Sequence, residues 1–189
     1  SELSRLVSAQ WADKTILLLK TTGIIDLWHP SAEPFFKELP SLNTAGKLLL
    51  KSELSSVLPL IRLTYLFSDD ALINLRFSKK QRLRCKRLRK WQSRNDGSDF
   101  ANLCEVELLQ LHQDLGEDLP ALILGLNDTE QHNWIKRWRD ANDPLFHPSI
   151  HLDGNTLKTS LGISSGLKLG LLIRYLFHEK AFGRLLNEE

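Results

Sequence analysis

The sequence predicts an all-α protein. Leucine recurs at intervals of three and four residues through most of the 189-residue chain, the spacing that places apolar side chains on one face of a helix. Runs of β-branched residues, which favour strands, are scarce. Serine, aspartate and glycine stand near the ends of the leucine-rich segments, where helices begin and end. We therefore expect a multi-helix array without a sheet.

Composition and charge are those of a globular protein. Hydrophobic residues make up 42% of the chain and charged residues 25%, and the formal net charge is +2. The length suffices for one large domain or two small ones with a real core. The two cysteines, Cys85 and Cys104, lie within apolar patterns, which predicts reduced core thiols in an intracellular protein.

The sequence contains no evident targeting or membrane segment. No stretch approaches the roughly 20 apolar residues of a membrane span, and no signal peptide is recognisable. We therefore expect no membrane partner and a location in the cytoplasm or an organelle matrix. The chain has no methionine, even at position 1, which indicates a processed product or an excised fragment.

The first part of the chain predicts several short helices and one long buried one. Asp13 is expected to cap the second helix and Gly23 to end it. A strongly apolar helix follows over residues 55–67, with Pro59 in its first turn, where proline is tolerated. Arg62 lies within that helix and needs a partner. Ser68 is expected to begin the next short helix.

A basic run at residues 77–94, FSKKQRLRCKRLRKWQSR, organises the chain. Ser78 followed by Gln81 is a capping-box pair, so the run opens as a helix. At about 100° per residue, Arg84 points near the apolar side, where it must snorkel or pair. The apolar side consists of Phe77, Cys85, Leu88 and Trp91. The opposite, cationic side consists of Lys79, Lys80, Arg82, Lys86, Arg87, Arg89, Lys90 and Arg94.

This concentration of positive charge works against the helix. Lys79 and Lys80 in the first turn oppose the helix macrodipole, at about 0.3–1 kcal/mol each. Like charges four residues apart, such as Arg82 and Lys86, cost a few tenths more per pair. A helix under such repulsion indicates an anionic partner, of which a phosphate backbone is the usual one. A solvated face of a surface helix is the alternative interpretation.

Further helices are predicted in the second half. Asp99 is expected to cap one that Gly116 ends, and an apolar helix follows over residues 117–126. Thr129 is expected to cap a helix that carries Trp134 and Trp138. Such tryptophans can stack on nucleic acid, although core packing is their commoner role. The apolar side of the helix before Gly116 is expected to hold Leu103, Val106, Leu109 and either Leu111 or His112.

Metal binding is not expected from the histidines. His147 and His151 are four residues apart, the spacing of a helical metal pair. Pro148 between them argues against a helix, and no third ligand is evident. We therefore expect no metal site in this chain.

The last segment predicts a long helix with an unusual start. Ser164 or Ser165 is expected to cap it, with Gly166 in its first turn and Gly170 four residues later. Glycine within a helix costs about 1 kcal/mol relative to alanine, so these two need a reason. Close approach of another backbone is one reason, and a phosphate bound at the helix start is the other. The sequence leaves both open.

Three segments resemble the C-terminal part of the class II tRNA nucleotidyltransferases, the family of CCA-adding, A-adding and poly(A) polymerase-like enzymes. The start, ELSRLVSAQWADKTILLLKTTGIIDLWHP, resembles the neck of that family, with Gly-Ile-Ile followed by proline. Leu75-Arg76-Phe77-Ser78 resembles an element of the body that precedes a helix. The end, from His151 to Leu185, resembles the tail through its spaced glycines and leucine-rich helix.

The resemblance implies three helical parts and no catalytic head. A neck-like segment would span residues 1–40, a body 41–127 and a tail-like segment 128–189. The head of that family uses an Asp-x-Asp pair that binds two metal ions, and this sequence contains no Asp-x-Asp. No catalytic residue is therefore predicted here. Magnesium and ATP or CTP are expected only in the absent head domain.

The resemblance also implies a partner, which is tRNA or another structured RNA. In that family the body and tail hold the acceptor stem and T-arm, by shape and phosphate rather than by base sequence. The cations of the basic run are the expected contacts, and the start of the last helix is a second one. That second set comprises Ser164, Ser165, Gly166, Lys168 and Arg174. The competing prediction is a helical protein-interaction module whose basic helix docks an acidic partner.

Overall fold

A computed structural model describes residues 2–9, 11–24, 27, 42–94, 103–147, 154–164 and 166–185. These residues form eleven α-helices, and none of them belongs to a strand, so the all-α prediction is confirmed. A 3-10 turn, Gly116–Asp118, joins the seventh helix to the eighth. The helices are α1 (Glu2–Ser8), α2 (Ala12–Thr21), α3 (Leu42–Leu48), α4 (Lys51–Leu66), α5 (Asp69–Asn74), α6 (Lys79–Arg94), α7 (Glu105–Leu115), α8 (Leu119–Ile123), α9 (Asp128–Arg139), α10 (Gly154–Leu161) and α11 (Leu167–Ala181).

The chain divides into two compact units. The first comprises Ser1–Asn102 and Asp114–Ile135, and the second comprises Leu103–Gln113 and Lys136–Glu189. The predicted division at residues 40 and 127 into neck-like, body and tail-like parts stays a prediction.

Helix α4 is the centre of the first unit, where it packs against α1, α3, α6 and α8. It begins at Lys51, where the Glu53 carboxylate accepts a hydrogen bond from the Leu50 N–H at 2.8 Å. The predicted start at residue 55 is therefore wrong. Pro59 lies inside the helix rather than in its first turn, and it removes one N–H from the helical hydrogen-bond ladder.

The partner that Arg62 requires is supplied by the first two helices. Its NH1 donates to the carbonyls of Val7 at 2.6 Å and Ala9 at 3.0 Å, and its NH2 donates to Asp13 Oδ1 at 2.6 Å. Asp13 does not cap α2, because the N-cap residue is Trp11. Gly23 follows the end of α2 with a φ of 70°, as predicted for the stop.

Helix α7 begins after the first residue that was predicted for its apolar side. Leu103 precedes the helix, and the Cys104 N–H donates to the Glu107 carboxylate at 3.0 Å. Val106 is 68% exposed, so its predicted burial is wrong, whereas Leu109 and Leu111 are buried. Asp99, the predicted cap, lies outside the described residues.

The two cysteines have different environments. Cys85 is buried, as predicted for a core thiol, whereas Cys104 is exposed. The prediction for Cys104 is wrong because that residue lies just before the first turn of α7, outside the apolar stripe that the helix forms.

Helix α9 is capped by Asn127, whose Oδ1 accepts from the Glu130 N–H at 3.0 Å, and not by Thr129. Trp134 is buried, which agrees with its interpretation as a core residue, and Trp138 is half-buried.

Helix α11 starts one residue after the predicted first-turn glycine. Gly166 is its N-cap residue, with a φ of 141° and no side-chain capping bond, so Ser164 does not cap the helix. Ser165 lies outside the described residues. A β-carbon placed on Gly170 would meet no described atom within 4 Å. The close backbone approach that two glycines can permit is therefore not observed at Gly170.

Candidate nucleic-acid interface

The basic helix α6 begins at the predicted capping box. The Ser78 hydroxyl accepts from the Gln81 N–H at 3.2 Å, and the Gln81 Oε1 accepts from the Ser78 N–H at 3.3 Å. Both bonds satisfy backbone donors that have no partner in a helix start. The first cations of the helix, Lys79 and Lys80, follow directly.

One side of α6 is buried as predicted. Phe77, Cys85, Leu88 and Trp91 are each 6% exposed or less, and the helix packs against α4, α5 and α8. Burial raises the pKa of the Cys85 thiol and outweighs a hydrogen bond to Thr64 that lowers it. The thiol is therefore a packing group rather than a ready nucleophile.

Two carboxylates, one at the end of α7 and one in the 3-10 turn after it, bind side chains on one flank of α6. The Arg84 guanidinium donates to both oxygens of Asp118, at 2.8 and 2.6 Å, so the predicted pairing of Arg84 is confirmed. This bonding raises the pKa of Arg84. Asp114 accepts from Lys90 Nζ at 2.7 Å and from the Trp91 indole N–H at 2.9 Å. Lys90, which was predicted to contact the RNA backbone, is thus ion-paired within the fold, and its contact with RNA stays a prediction.

The other flank is held by Arg89. Its NH1 donates to the carbonyls of Thr64 at 2.8 Å and Phe67 at 2.7 Å, and its NH2 donates to Asp69 Oδ1 at 2.8 Å. The guanidinium thus binds carbonyls at the end of α4 together with the first residue of α5. Both terminal nitrogens of Arg89 therefore donate within the fold, and its predicted contact with RNA stays a prediction.

Five predicted cations remain on the outer surface of α6, and we call them the cationic ridge. Lys79, Lys80 and Lys86 are exposed, whereas Arg82 and Arg87 are half-buried. Within the described ranges, none of the five forms an ion pair. The Nε of Arg82 is buried and lacks a hydrogen-bond partner there. Arg94 ends α6, but its side chain lies outside the described set.

The cationic ridge has the periodicity of two helical turns. Lys79 and Lys86 lie seven residues apart, as do Lys80 and Arg87, so each pair is separated by about 10 Å along the axis. Leu83 lies between the two pairs and is 42% exposed. The result is a short row of positive charges with one apolar side chain at its middle.

The second predicted contact lies on α11, in the second compact unit. Ser164, Gly166, Lys168 and Arg174 are all exposed. The same helix exposes large apolar side chains, namely Leu167, Leu171 and Tyr175 at 82%, 53% and 60%. These residues stay predicted contacts.

The histidine pair gives no metal site that can be described. His147 Nε2 lies 2.8 Å from the Trp138 carbonyl, and His151 lies outside the described residues. In the described part of the chain, no three metal-ligating side chains are grouped.

One exposed arginine next to the cationic ridge, Arg76, was not among the predicted contacts. Arg76 lies three residues before Lys79 and has a positive φ of 56°. The predicted basic run begins at Phe77 and therefore does not include this charge. The signal that could have identified it is an arginine, in place of the usual glycine, directly after a short helix.

Comparison with protein-family models, with curated proteins and with solved structures finds no match for this chain. No helix among the described residues is both long enough and apolar enough to cross a membrane.

Proposed function

We propose that this chain is the RNA-binding C-terminal part of a tRNA nucleotidyltransferase or poly(A) polymerase-like enzyme. It holds the acceptor stem and T-arm through phosphate contacts, while a head domain adds nucleotides to the 3′ end. By itself the chain binds RNA and transfers nothing. The observation that carries the proposal is the cationic ridge, whose five positive side chains have no ion-pair partner among the described residues.

The cationic ridge favours a polyanion over a small ligand. Its charges follow one another along about 10 Å of helix, and their mutual repulsion falls when phosphates approach them. Each neutralised phosphate also releases condensed counterions, which makes binding depend on salt. Five contacts predict a slope of about −4 in a plot of log K against log salt.

The internal ion pairs support the same proposal in a different way. Arg84 and Lys90 bind Asp118 and Asp114 on one flank of α6, and Arg89 binds the end of α4 on the other. These contacts fix the rotation of the helix, so the exposed cations keep one orientation toward solvent. A charged surface fixed before binding loses little conformational entropy when its ligand arrives.

The test is the affinity of the chain for a tRNA transcript across salt concentrations of about 0.05–0.3 M. A variant with Lys79→Ala, Lys80→Ala and Lys86→Ala removes three exposed charges from the cationic ridge. We expect at least tenfold weaker binding and a slope reduced by about 2–3.

The matched control removes the same number of exposed lysines elsewhere in the first unit. Lys14, Lys47 and Lys51 are exposed and lie outside α6, so replacing them by alanine changes the net charge equally. We expect this control to keep most of its affinity. Equal loss in both variants would show that binding follows net charge rather than the cationic ridge.

A second candidate function has one observation in its favour. Leu83, at the middle of the cationic ridge, is 42% exposed, and an exposed apolar side chain between cations also suits an acidic protein surface. An acidic polyglutamate peptide at the same ionic strength distinguishes the two. Tighter binding of the peptide than of tRNA would favour the protein-interaction module.

A further inference from the structure

Helix α5 ends in a left-handed turn at Arg76. The Arg76 N–H donates to the Ile73 carbonyl at 2.9 Å, and the Phe77 N–H donates to the Leu72 carbonyl at 3.0 Å. This pair of bonds is a Schellman motif, in which the residue after the C-cap adopts a positive φ. Arg76 has a φ of 56°, and it is the single non-glycine residue with a positive φ in the described part of the chain.

The same chain uses glycine at comparable helix ends. Gly23 follows α2, Gly116 follows α7, Gly162 follows α10 and Gly183 follows α11, with φ values of 70°, 46°, 61° and 68°. Glycine is favoured there because a β-carbon crowds the backbone in this conformation. Arginine at the end of α5 therefore differs from the glycine that occupies the left-handed position after these four helices.

Packing does not account for the arginine. The Arg76 side chain is exposed, and among the described residues it has neither a hydrogen-bond partner nor an ion-pair partner. The residues that follow it are held in place, because Phe77 is buried and Ser78 forms the capping box. A strained residue whose charged group forms no hydrogen bond or ion pair among the described residues indicates a role toward a ligand.

We propose that Arg76 is a further phosphate-binding residue, placed just before the cationic ridge. It lies three residues from Lys79, within about 10 Å along the chain. Its guanidinium presents a planar fork of donors that fits a phosphate through two hydrogen bonds. The left-handed turn holds that fork next to the helix start. This inference rests on the proposed function and adds one contact to it.

Three substitutions separate charge from backbone strain. Arg76→Gly removes both, Arg76→Ala removes the charge alone, and Arg76→Lys keeps the charge and the strain. For the glycine and alanine variants we expect about three- to tenfold weaker binding of a tRNA transcript and a salt slope reduced by about 1. The lysine variant should bind within about threefold of the unmodified chain, since it keeps the charge but loses the fork.

Thermal unfolding of the same variants measures the effect of the backbone strain at residue 76 on stability. Arg76→Gly should raise Tm by about 1–3 °C, because glycine relieves the crowded backbone. Arg76→Ala and Arg76→Lys should leave Tm within about 1 °C of the unmodified chain. We therefore expect the glycine variant to be more stable and to bind RNA less well. This result would indicate that Arg76 serves ligand binding at a cost in stability.

The outcomes distinguish this inference from the proposed function. If the glycine and alanine variants keep full affinity while the Lys79, Lys80 and Lys86 variant loses it, the role of Arg76 is wrong and the proposed function stands. If only the glycine variant binds less well, flexibility rather than charge is responsible, and the inference again fails. If the unmodified chain shows no salt-dependent affinity for tRNA, both are wrong.

Discussion

The NH2 group of Arg89 lies 2.8 Å from Asp69 Oδ1 and joins the basic helix to the start of α5. The same guanidinium donates to the Thr64 and Phe67 carbonyls at the end of α4. Only 25% of the Arg89 side chain is exposed. Arg89 therefore belongs to the support of α6, whereas Lys86, one turn earlier, is exposed.

Alanine substitution should separate these two roles within one helix. We expect Arg89→Ala to lower the free energy of unfolding by about 2–3 kcal/mol, mostly from the two lost charged hydrogen bonds, because the ion pair to the more exposed Asp69 adds little. Lys86→Ala should change it by less than about 0.5 kcal/mol and should weaken RNA binding instead. Urea unfolding followed by tryptophan fluorescence gives the stabilities, and tRNA titration gives the affinities. Equal stability of both variants would contradict the supporting role of Arg89.

The burial of the α6 residues could be predicted because it depends on helical geometry alone. One rotation of 100° per residue places Phe77, Cys85, Leu88 and Trp91 together and leaves Arg84 beside them. The pairing of Arg89 and Lys90 could not be predicted in this way. Their partners, Asp69 and Asp114, lie on other elements, and the sequence does not say which elements are neighbours.

Helix starts were predicted less well than helix faces. Serine caps were located correctly at Ser68 and Ser78, where the hydroxyl accepts from the N–H three residues later. The start of α4 was missed because its N-cap residue is Leu50, and the carboxylate that completes the turn lies three residues on. An apolar N-cap residue cannot be recognised from its side chain, because only its backbone N–H takes part in the capping hydrogen bond.

The half-buried histidine His112 predicts a pH dependence of stability. Burial lowers its pKa, the nearby His147 lowers it further, and Asp143 opposes both effects. Its ring packs edge-on against Phe146, with centroids 6.2 Å apart, and its Nδ1 is buried without a described partner. The environment therefore favours the neutral imidazole.

The sign of the effect follows from proton linkage. An unfolded histidine takes up a proton near pH 6.5, whereas the folded chain takes it up at a lower pH. As pH falls through this interval, the unfolded state binds more protons, so the free energy of unfolding decreases. Stability should thus be highest above about pH 6.5, and the loss should level off below the folded pKa.

Urea unfolding between about pH 7.5 and 5.5 measures this dependence. We expect His112→Phe to flatten the curve, because it keeps a ring at the site and removes the titrating group. His132→Gln, which removes an exposed histidine on α9, is the comparison variant. A curve for His112→Phe that matches the unmodified chain would assign the pH dependence to other groups.

The first turn of α6 provides a test of function against stability. Lys79 and Lys80 lie at the positive end of the helix macrodipole, where cations are unfavourable and carboxylates favourable by about 0.3–1 kcal/mol each. A variant with Lys79→Glu and Lys80→Glu should therefore unfold with a free energy about 1–2 kcal/mol higher. Its affinity for tRNA should fall by more than about a hundredfold, because two attractive charges become repulsive toward phosphate.

The neutral variant with Lys79→Gln and Lys80→Gln separates lost attraction from added repulsion. It should lie between the unmodified chain and the glutamate variant in both stability and affinity, as expected if both properties follow the charge at these two positions. Urea unfolding and tRNA titration at one fixed salt concentration measure the two properties on the same samples. A glutamate variant that is more stable and still binds tRNA fully would show that the helix start faces away from the RNA. A glutamate variant that is less stable would mean that the two lysines stabilise the fold through contacts that outweigh the macrodipole.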